Sequence, residues 1–219
     1  MTNLTILCLD TNCLENIPIE ICQLINLEGL ILSNNMLTSL PSQISQLTNL
    51  SELYCDNNNL QSLPPEIGKL HELVVLDIHH NQLTEISKEI LGLTNLEHLR
   101  LCNNHIELIP VELCNLIGLE EISLDGNKIK EIPTEISNLT NLGGLWIGDN
   151  QLEKIPHEIG NLTKLYWLDF KNNHIKEIPE TISKLTNLKY LCLQNNNIDE
   201  IPKSINKCNF PDLIELSLE

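Results

Sequence analysis

The sequence predicts an α/β solenoid, with short parallel strands in one layer and short helical segments in the other. A 23-residue unit recurs through the chain, and each copy opens with a leucine-type residue at constant spacing. Within each copy, L-x-x-L-x-L alternates apolar and polar residues in the manner of a half-buried strand. A fixed period of this length indicates stacked supersecondary units that bury a continuous core only against their neighbours.

The repeat boundaries cover nearly the whole chain. Nine copies of 23 to 25 residues open at positions 4, 27, 50, 73, 96, 119, 142, 165 and 188, and a partial tenth opens at 213. The tenth copy is two residues late because of an insertion around Phe210 and Pro211. We therefore expect residues 1–219 to form a single repeat domain.

Two further positions of the unit hold nearly constant residues. An asparagine ends the strand segment of every complete copy, at 12, 35, 58, 81, 104, 127, 150, 173 and 196. An inward carboxamide both donates and accepts, so it can satisfy backbone groups where the chain leaves the strand ladder. A proline follows in eight copies, with Ser87 in its place once. We expect it to fix a turn and to start one or two turns of 3₁₀ or α-helix.

The complete frame is L-x-x-L-x-L-x-x-N-x-L followed by x-x-[IL]-P-x-x-I-x-x-L, and it resembles the leucine-rich repeat from Leu4 to Leu218. The resemblance implies an α/β leucine-rich-repeat solenoid, with its parallel β-sheet on the concave face and its 3₁₀ or α-helical segments on the convex face. The proline-containing form is similar to intracellular Ras-group repeats, as in Shoc-type scaffolds, plant intracellular Ras-group proteins, Erbin and Scribble. Similar repeats occur in bacterial and giant-virus proteins.

This resemblance also carries functional expectations. It implies a non-enzymatic protein–protein interaction module or scaffold in signal transduction, which binds a folded protein through its concave face. A small GTPase is one candidate partner. The alternatives are a structural solenoid that self-associates through uncapped ends, or the substrate-binding arm of a larger protein.

Composition narrows the classes of partner. Thirteen Lys and Arg against 30 Asp and Glu give a formal net charge of −17. A field of this sign repels phosphate backbones and anionic lipids, so we expect neither nucleic acid nor a membrane as partner. Gly-rich phosphate loops, nucleophile elbows and HExxH motifs are absent from the sequence. We therefore predict no enzymatic activity and no cofactor.

The cysteines and the first residues together predict a cytoplasmic location. Cys55 and Cys208 stand where other copies have aliphatic residues, and Cys22 and Cys114 share a slot otherwise mostly held by Gly or Ser. Such positions are typical of small apolar side chains with free thiols in a reducing compartment. The N-terminal residues have no basic leader and no long apolar run, so we expect no signal peptide.

The aromatic residues are the main functional signal. Trp and Tyr residues fall only between the frame positions of the strands, which are expected on the concave face: Tyr54, Trp146, Tyr166, Trp167 and Tyr190. Trp167 and Tyr190 share a slot in adjacent strands, and Trp146 lies diagonally from them. Exposed Trp and Tyr in a polar surround match the composition of binding hot spots. The alternative is a chance scatter of aromatics on an exposed sheet.

Glycines and charged residues complete this predicted patch. We expect Gly144 to leave room beside both indoles, and Gly148 and Gly126 to open the other flank. The predicted set of partner-binding residues is Trp146, Trp167, Tyr190, Tyr166, Asp169, Lys171, Arg100 and Tyr54. Arg100 has Asp77 and Ser123 as its slot neighbours, so a local cross-strand ion pair is the alternative to a role in partner binding.

A second polar group lies earlier in the chain. It comprises His79, His80, His98, His105 and Cys102, with Asp56 and Asp77 near. Zinc needs three or four converging ligands, and a flat array of strands is poorly suited to tetrahedral convergence. We therefore interpret the group as solvated polar surface and predict no metal site.

Overall fold

The computed structural model describes residues 3–203, 205 and 210–218. The chain divides into two compact units, Met1–His105 and Ile106–Glu219. Each unit is a stack of repeats and is described by itself. The single domain expected over residues 1–219 stays a prediction.

The first unit is a parallel sheet backed by 3₁₀ helices. Its strands are β1 (Ile6–Cys8), β2 (Gly29–Ile31), β3 (Glu52–Tyr54), β4 (Val75–Asp77) and β5 (His98–Arg100). Its helices are η1 (Ile19–Gln23), η2 (Ser42–Gln46), η3 (Pro65–Lys69) and η4 (Lys88–Gly92). Neighbouring strands pair in chain order at the 23-residue register, with Leu30 opposite Leu53 and Leu53 opposite Leu76.

The second unit repeats this arrangement. Its strands are β6 (Glu121–Ser123), β7 (Gly144–Trp146), β8 (Trp167–Asp169), β9 (Tyr190–Cys192) and β10 (Glu215–Ser217). Its helices are η5 (Val111–Asn115), η6 (Thr134–Asn138), η7 (His157–Asn161) and η8 (Glu180–Lys184). All four strand pairs are parallel, and β10 keeps the register despite the insertion before it.

The helical layer confirms the predicted return segments of the first eight copies in their 3₁₀ form, and the segment predicted after Pro202 lies largely outside the described residues. A proline directly precedes seven of the helices in the described residues, with φ between −56° and −68°. Ser87 precedes η4, where its hydroxyl accepts a hydrogen bond from the backbone N–H of Glu89 at 3.4 Å. Each helix from η2 to η8 buries an isoleucine, or Leu113 in the case of η5, in an aliphatic core that also holds the strand leucines, as with fully buried Ile67 and Leu76.

A left-handed residue lies just before each asparagine and was not predicted. Its φ is 50° to 57° at Thr11, Asn34, Asn57, His80, Asn103, Asp149, Asn172 and Asn195, and 67° at Gly126. Side chains other than glycine pay a steric cost there, and Asn and Asp tolerate it best. The sequence signal was present, because Asn, Asp and Gly fill seven of these nine slots. Gly126 therefore also serves as a turn residue, and its predicted role of opening a flank of the aromatic patch stays a prediction.

The cysteines of the described residues are free thiols. Cys22, Cys55 and Cys114 are fully buried among the aliphatic side chains. Burial raises the pKa of the Cys55 thiol, and it raises the pKa of Cys114 to about 11. These thiols stay protonated at neutral pH and pack as small apolar groups. Cys208 lies outside the described residues.

Within each unit, the asparagine column ties neighbouring coils together. In the first unit, Asn81 Nδ2 donates to the carbonyl of Cys55 at 2.9 Å and to that of Ile78 at 3.1 Å. Its Oδ1 accepts from the backbone N–H of Leu60 at 2.8 Å. One carboxamide therefore satisfies backbone groups of two coils where the strand ladder ends. Asn12 is exposed and donates within its own coil, to the carbonyls of Leu9 and Asp10.

We expect Asn81→Ala to lower the free energy of unfolding by about 2–4 kcal/mol, because it leaves buried backbone groups without partners. Asn12→Ala is the matched control and should cost less than about 1 kcal/mol, since water replaces its bonds. Urea unfolding followed by far-UV circular dichroism measures both. Equal losses at the two positions would contradict the assigned role of the column.

Candidate functional site

Three aromatic rings form a continuous row on the exposed sheet face of the second unit. The Trp167 and Tyr190 rings stack with centroids 4.1 Å apart and planes 26° apart. The Trp146 and Trp167 ring centroids are 5.9 Å apart at a tilt of 38°. Trp167 and Tyr190 are register partners on β8 and β9. The structure thus brings together the three aromatics that the sequence predicted as neighbours, and they are called the aromatic row below.

Gly144 lets Trp146 join this row. A Cβ placed on Gly144 would lie 2.3 Å from Cη2 and 2.4 Å from Cζ3 of Trp146. The indole therefore extends back along its own strand and covers Gly144, whose register partner is Trp167. The predicted space beside the indoles exists, and Trp146 itself fills it.

Tyr166 lies beside the aromatic row and anchors a carboxylate. Its hydroxyl donates to Glu121 Oε1 at 2.9 Å. A Cβ on Gly143 would lie 2.7 Å from Cε1 of the Tyr166 ring, so this glycine also makes room for an aromatic neighbour. The pKa of Tyr166 is raised, mainly because the side chain is partly buried and secondly because it is hydrogen-bonded to Glu121.

Asp169 and Lys171 extend the site along β8 into a network of charges. The ammonium of Lys171 lies 3.6 Å from Asp169 Oδ2 and 4.0 Å from Asp149 Oδ2. Asp169 is buried, and its Oδ1 accepts from the backbone N–H of Lys171 at 2.9 Å. A Cβ on Gly148 would meet Cγ of Lys171 at 2.8 Å, so the lysine stem occupies the flank that we expected to be open. That prediction for Gly148 is wrong.

Asp125 is a further charged member of the site that the sequence did not single out. The pKa of its carboxyl is raised to about 6, mainly by burial and secondly by the negative charge of Asp169. The backbone N–H of Gly148 donates to Asp125 Oδ1 at 2.8 Å. This hydrogen bond and the positive charge of Lys171 both act to lower the pKa of Asp125. Its position in the same slot as Gly148 and Lys171 was visible in the sequence, but its burial was not. Nearby carboxylates also raise the pKa of Lys171, Asp169 most of all.

Arg100 and Tyr54 belong to the first unit, where both flank Asp77. Arg100 Nη1 lies 3.4 Å from Asp77 Oδ2, so the cross-strand ion pair weighed from the sequence is present. Tyr54 is the register partner of Asp77 on the other side. The pKa of Tyr54 is raised, mainly by burial and secondly by the negative charge of Glu52. The structure gives Arg100 a local partner, and its role in partner binding stays a prediction, as does that of Tyr54.

The histidine group of the first unit is organised by carboxylates. His79 Nδ1 lies 2.5 Å from Asp77 Oδ1, and Nε2 lies 3.8 Å from Asp56 Oδ2. Asp56 is itself bonded by the Ser33 hydroxyl and by Asn57 Nδ2. The rings of His79 and His80 meet edge to face with centroids 5.1 Å apart. These contacts pair His79 with Asp77 and Asp56.

The aromatic row combines exposed ring surface with an unpaired polar atom. Its three rings are half-buried, so each still presents surface to solvent. Among the described side chains, the buried polar atoms without a hydrogen-bond partner are Trp167 Nε1 and Gln194 Oε1, both in this unit. Unpaired buried polar atoms are rare and costly, so a donor left in the row is notable. Rigid rings with polar neighbours make contact area at low entropic cost.

We expect Gly144→Ala to displace the Trp146 ring, because the new methyl group overlaps the far end of that side chain. Near-UV circular dichroism should lose the signal that arises from coupling of the two indoles, while the unfolding midpoint changes little. Gly29→Ala is the control, since its Cβ would meet Ile6 at an ordinary 3.6 Å. An unchanged near-UV spectrum in Gly144→Ala would contradict this placement of the ring.

Asp125 should make stability depend on pH. Its pKa is higher in the folded chain than in the unfolded chain, so its contribution is full below about pH 4 and is lost as pH rises through about 6. Asp125→Asn keeps an acceptor for the Gly148 N–H and removes the charge. We expect it to stabilise the fold by about 2 kcal/mol more at pH 7.5 than at pH 4, measured by urea unfolding. The same difference at both pH values would contradict the raised pKa.

Two protein-family models match the repeats of this chain. The model described as "Leucine-rich repeat region" matches residues 55–148 and 134–218. The model described as "Leucine Rich repeats (2 copies)" matches residues 25–67. A comparison with curated protein sequences found no match.

Solved structures agree with the family models. A leucine-rich repeat protein of Leptospira interrogans is 36% identical with a TM-score of 0.80, over 97% of this chain and 59% of that one. The ectodomain of the Arabidopsis thaliana receptor kinase GASSHO1/SCHENGEN3 is 37% identical with a TM-score of 0.81, over 89% of this chain and 24% of that one. The Arabidopsis receptor kinase HAESA is 33% identical with a TM-score of 0.79, over 89% and 34%. The chain thus spans between about a quarter and three fifths of these structures.

Helices in the described part of the chain are all too short or too polar to cross a lipid bilayer. The parallel strands and the short 3₁₀ helices fit a leucine-rich-repeat solenoid. The Ras-group subtype and the source of the chain stay predictions. On the matches over residues 25–67 and 55–218, this chain belongs to the leucine-rich repeat family.

Proposed function

We propose that this chain is a protein-interaction module that binds a protein or peptide through the exposed sheet face of its second unit. The observation that carries the proposal is the aromatic row, in which Trp146, Trp167 and Tyr190 are brought into contact. A frame of leucines explains the fold without any aromatic residue at these positions. Three adjacent rings on a solvent-facing sheet are therefore an addition to the frame, and hot spots are enriched in such residues.

The comparisons support the same class of function. The GASSHO1/SCHENGEN3 ectodomain was solved in complex with CASPARIAN STRIP INTEGRITY FACTOR 2. HAESA was solved with the peptide hormone IDA and the co-receptor SERK1. The leucine-rich repeat fold is typical of non-enzymatic interaction domains, and we extend that role to this chain.

The rigidity of the site supports binding in place of catalysis. Glycines 143 and 144 let the aromatic rings pack closely, and strand pairing fixes the backbone beneath them. A preformed surface loses little side-chain entropy on association. Each large aromatic side chain buries on the order of 200 Å² when it is covered, so a row of three forms the centre of an interface of ordinary size.

Several narrower expectations stay predictions. They are a scaffold role in signal transduction, a small GTPase as the partner, a cytoplasmic location and self-association through the ends. The free, buried thiols support a reducing compartment. Light scattering against protein concentration tests self-association, for which a monomer at tens of micromolar would be the contrary result.

The test of the module uses Trp146→Ala and Trp167→Ala, singly and together, as baits in an extract of the source cells. We expect each single variant to weaken capture of a specific partner by about tenfold, and the double variant to abolish it, because the ring contacts are lost. Quantitative mass spectrometry of the captured proteins measures the effect. Stacking contributes about 1 kcal/mol, so folding of each bait is checked by circular dichroism.

Ile117→Ala is the matched control in the same unit. Its side chain is 63% exposed and lies outside the sheet face, and it too removes exposed apolar surface. The control should capture the partner at the wild-type level. If the double tryptophan variant captures as well as the control, the aromatic row is not the binding site.

A further inference from the structure

We propose that the aromatic row is a receptor for arginine side chains of the partner. This inference rests on the proposed function, and it specifies the chemistry of what binds. The row does not end in neutral residues on either side. A carboxylate flanks the row at each end, and the net negative charge of the chain adds to the attraction for a cation.

Strand register sets the order of groups across the second unit. Reading the first residue of each strand from β6 to β10 gives Glu121, Gly144, Trp167, Tyr190 and Glu215. Because the Trp146 ring covers Gly144, the sequence of side chains becomes carboxylate, three aromatic rings, carboxylate. Glu121 and Glu215 are called the carboxylate rim.

The rim carboxylates are held in place by the protein. Tyr166 donates to Glu121 Oε1 at 2.9 Å, and the Ser217 hydroxyl donates to Glu215 Oε1 at 2.8 Å. A carboxylate in a fixed position loses less entropy when it pairs with an incoming cation.

The ring stacking directs a planar cation to the ends of the row. One face of Tyr190 packs on Trp167, and its other side borders β10, where Glu215 is the register partner. At the opposite end, the Trp146 ring covers Gly144, whose other register partner is Glu121. A group that binds at either end therefore contacts an aromatic ring and a carboxylate together. Cation–π attraction and ion pairing then act on one charge.

Arginine fits this pair of contacts better than lysine. The guanidinium is planar and weakly hydrated, stacks on aromatic faces, and pairs with a carboxylate through two N–H donors. An ammonium makes a point contact and is more costly to desolvate. Within the unit, Lys171 is already shared among Asp125, Asp149 and Asp169. The net charge of −17 adds long-range attraction for a basic partner.

The tryptophans themselves report on binding, because the chain has two and both lie in the row. The probe is the peptide acetyl-Gly-Arg-Gly-Arg-Gly-amide, titrated into the full chain at low ionic strength while tryptophan fluorescence is recorded. We expect a saturable change. The citrulline peptide, which keeps the shape and loses the charge, should bind at least about tenfold more weakly, and the lysine peptide about threefold more weakly.

Two double variants distinguish the effect of the carboxylate rim from the long-range attraction of the whole chain for a cationic peptide. Glu121→Gln with Glu215→Gln should weaken binding of the arginine peptide by about tenfold, since each end loses its ion pair. The amide oxygen introduced by Glu121→Gln can still accept from the Tyr166 hydroxyl, so the local hydrogen bond is kept. Glu135→Gln with Glu158→Gln removes the same charge from helices η6 and η7 and should change affinity less than about twofold. Circular dichroism confirms that both double variants are folded.

Three results would overturn the inference: no saturable binding of the arginine peptide, equal binding of the citrulline peptide, or equal losses in the two double variants. None of them bears on whether the row captures a protein. If Trp146→Ala loses a captured partner while the arginine peptide fails to bind, the module stands and its specificity for arginine is wrong.

Discussion

The repeat depends on the hydrogen bonds of the asparagine that follows each strand. A coil of 23 residues must turn out of the sheet inside its own core, where water cannot satisfy the backbone groups left behind. A single carboxamide solves this by donating to two carbonyls and accepting from an N–H of the preceding coil, as Asn58 and Asn81 do. Since such an asparagine bonds to the preceding coil, neighbouring coils within a unit complete each other's hydrogen bonds. The left-handed residue before the asparagine sets the direction of the turn.

With the frame fixed in this way, the outward strand positions are free to vary. Their side chains stand one strand spacing from their register partners, whatever their chemistry, because the sheet holds the backbone. In the second unit this places two tryptophans and a tyrosine in contact without any special loop. Glycines 143 and 144 matter for their lack of a side chain, which leaves the surface of the sheet to the rings of Tyr166 and Trp146.

The charges follow the same logic, and they make the two units chemically different. In the first unit, the Asp77 carboxylate pairs with both His79 and Arg100. In the second unit, carboxylates outnumber their cation around Lys171, and the aromatic row lies between Glu121 and Glu215. A chain of strong negative charge thus carries a surface where aromatic rings and fixed carboxylates adjoin. That combination supports the proposal that the partner presents arginine side chains.

The sequence by itself determined the repeat, the strands, the proline-led return segments and the asparagine column, because each is a periodic pattern tied to local backbone chemistry. It also placed Trp146, Trp167 and Tyr190 together, since slot and strand number fix neighbours in a solenoid. Only the tertiary structure decided where flexible side chains lie: the Trp146 ring over Gly144, the Lys171 stem over Gly148, and Arg100 on Asp77. The raised pKa of Asp125 likewise needed burial and neighbouring charge in three dimensions. Periodicity fixes backbone positions, whereas rotamers and desolvation depend on what surrounds them.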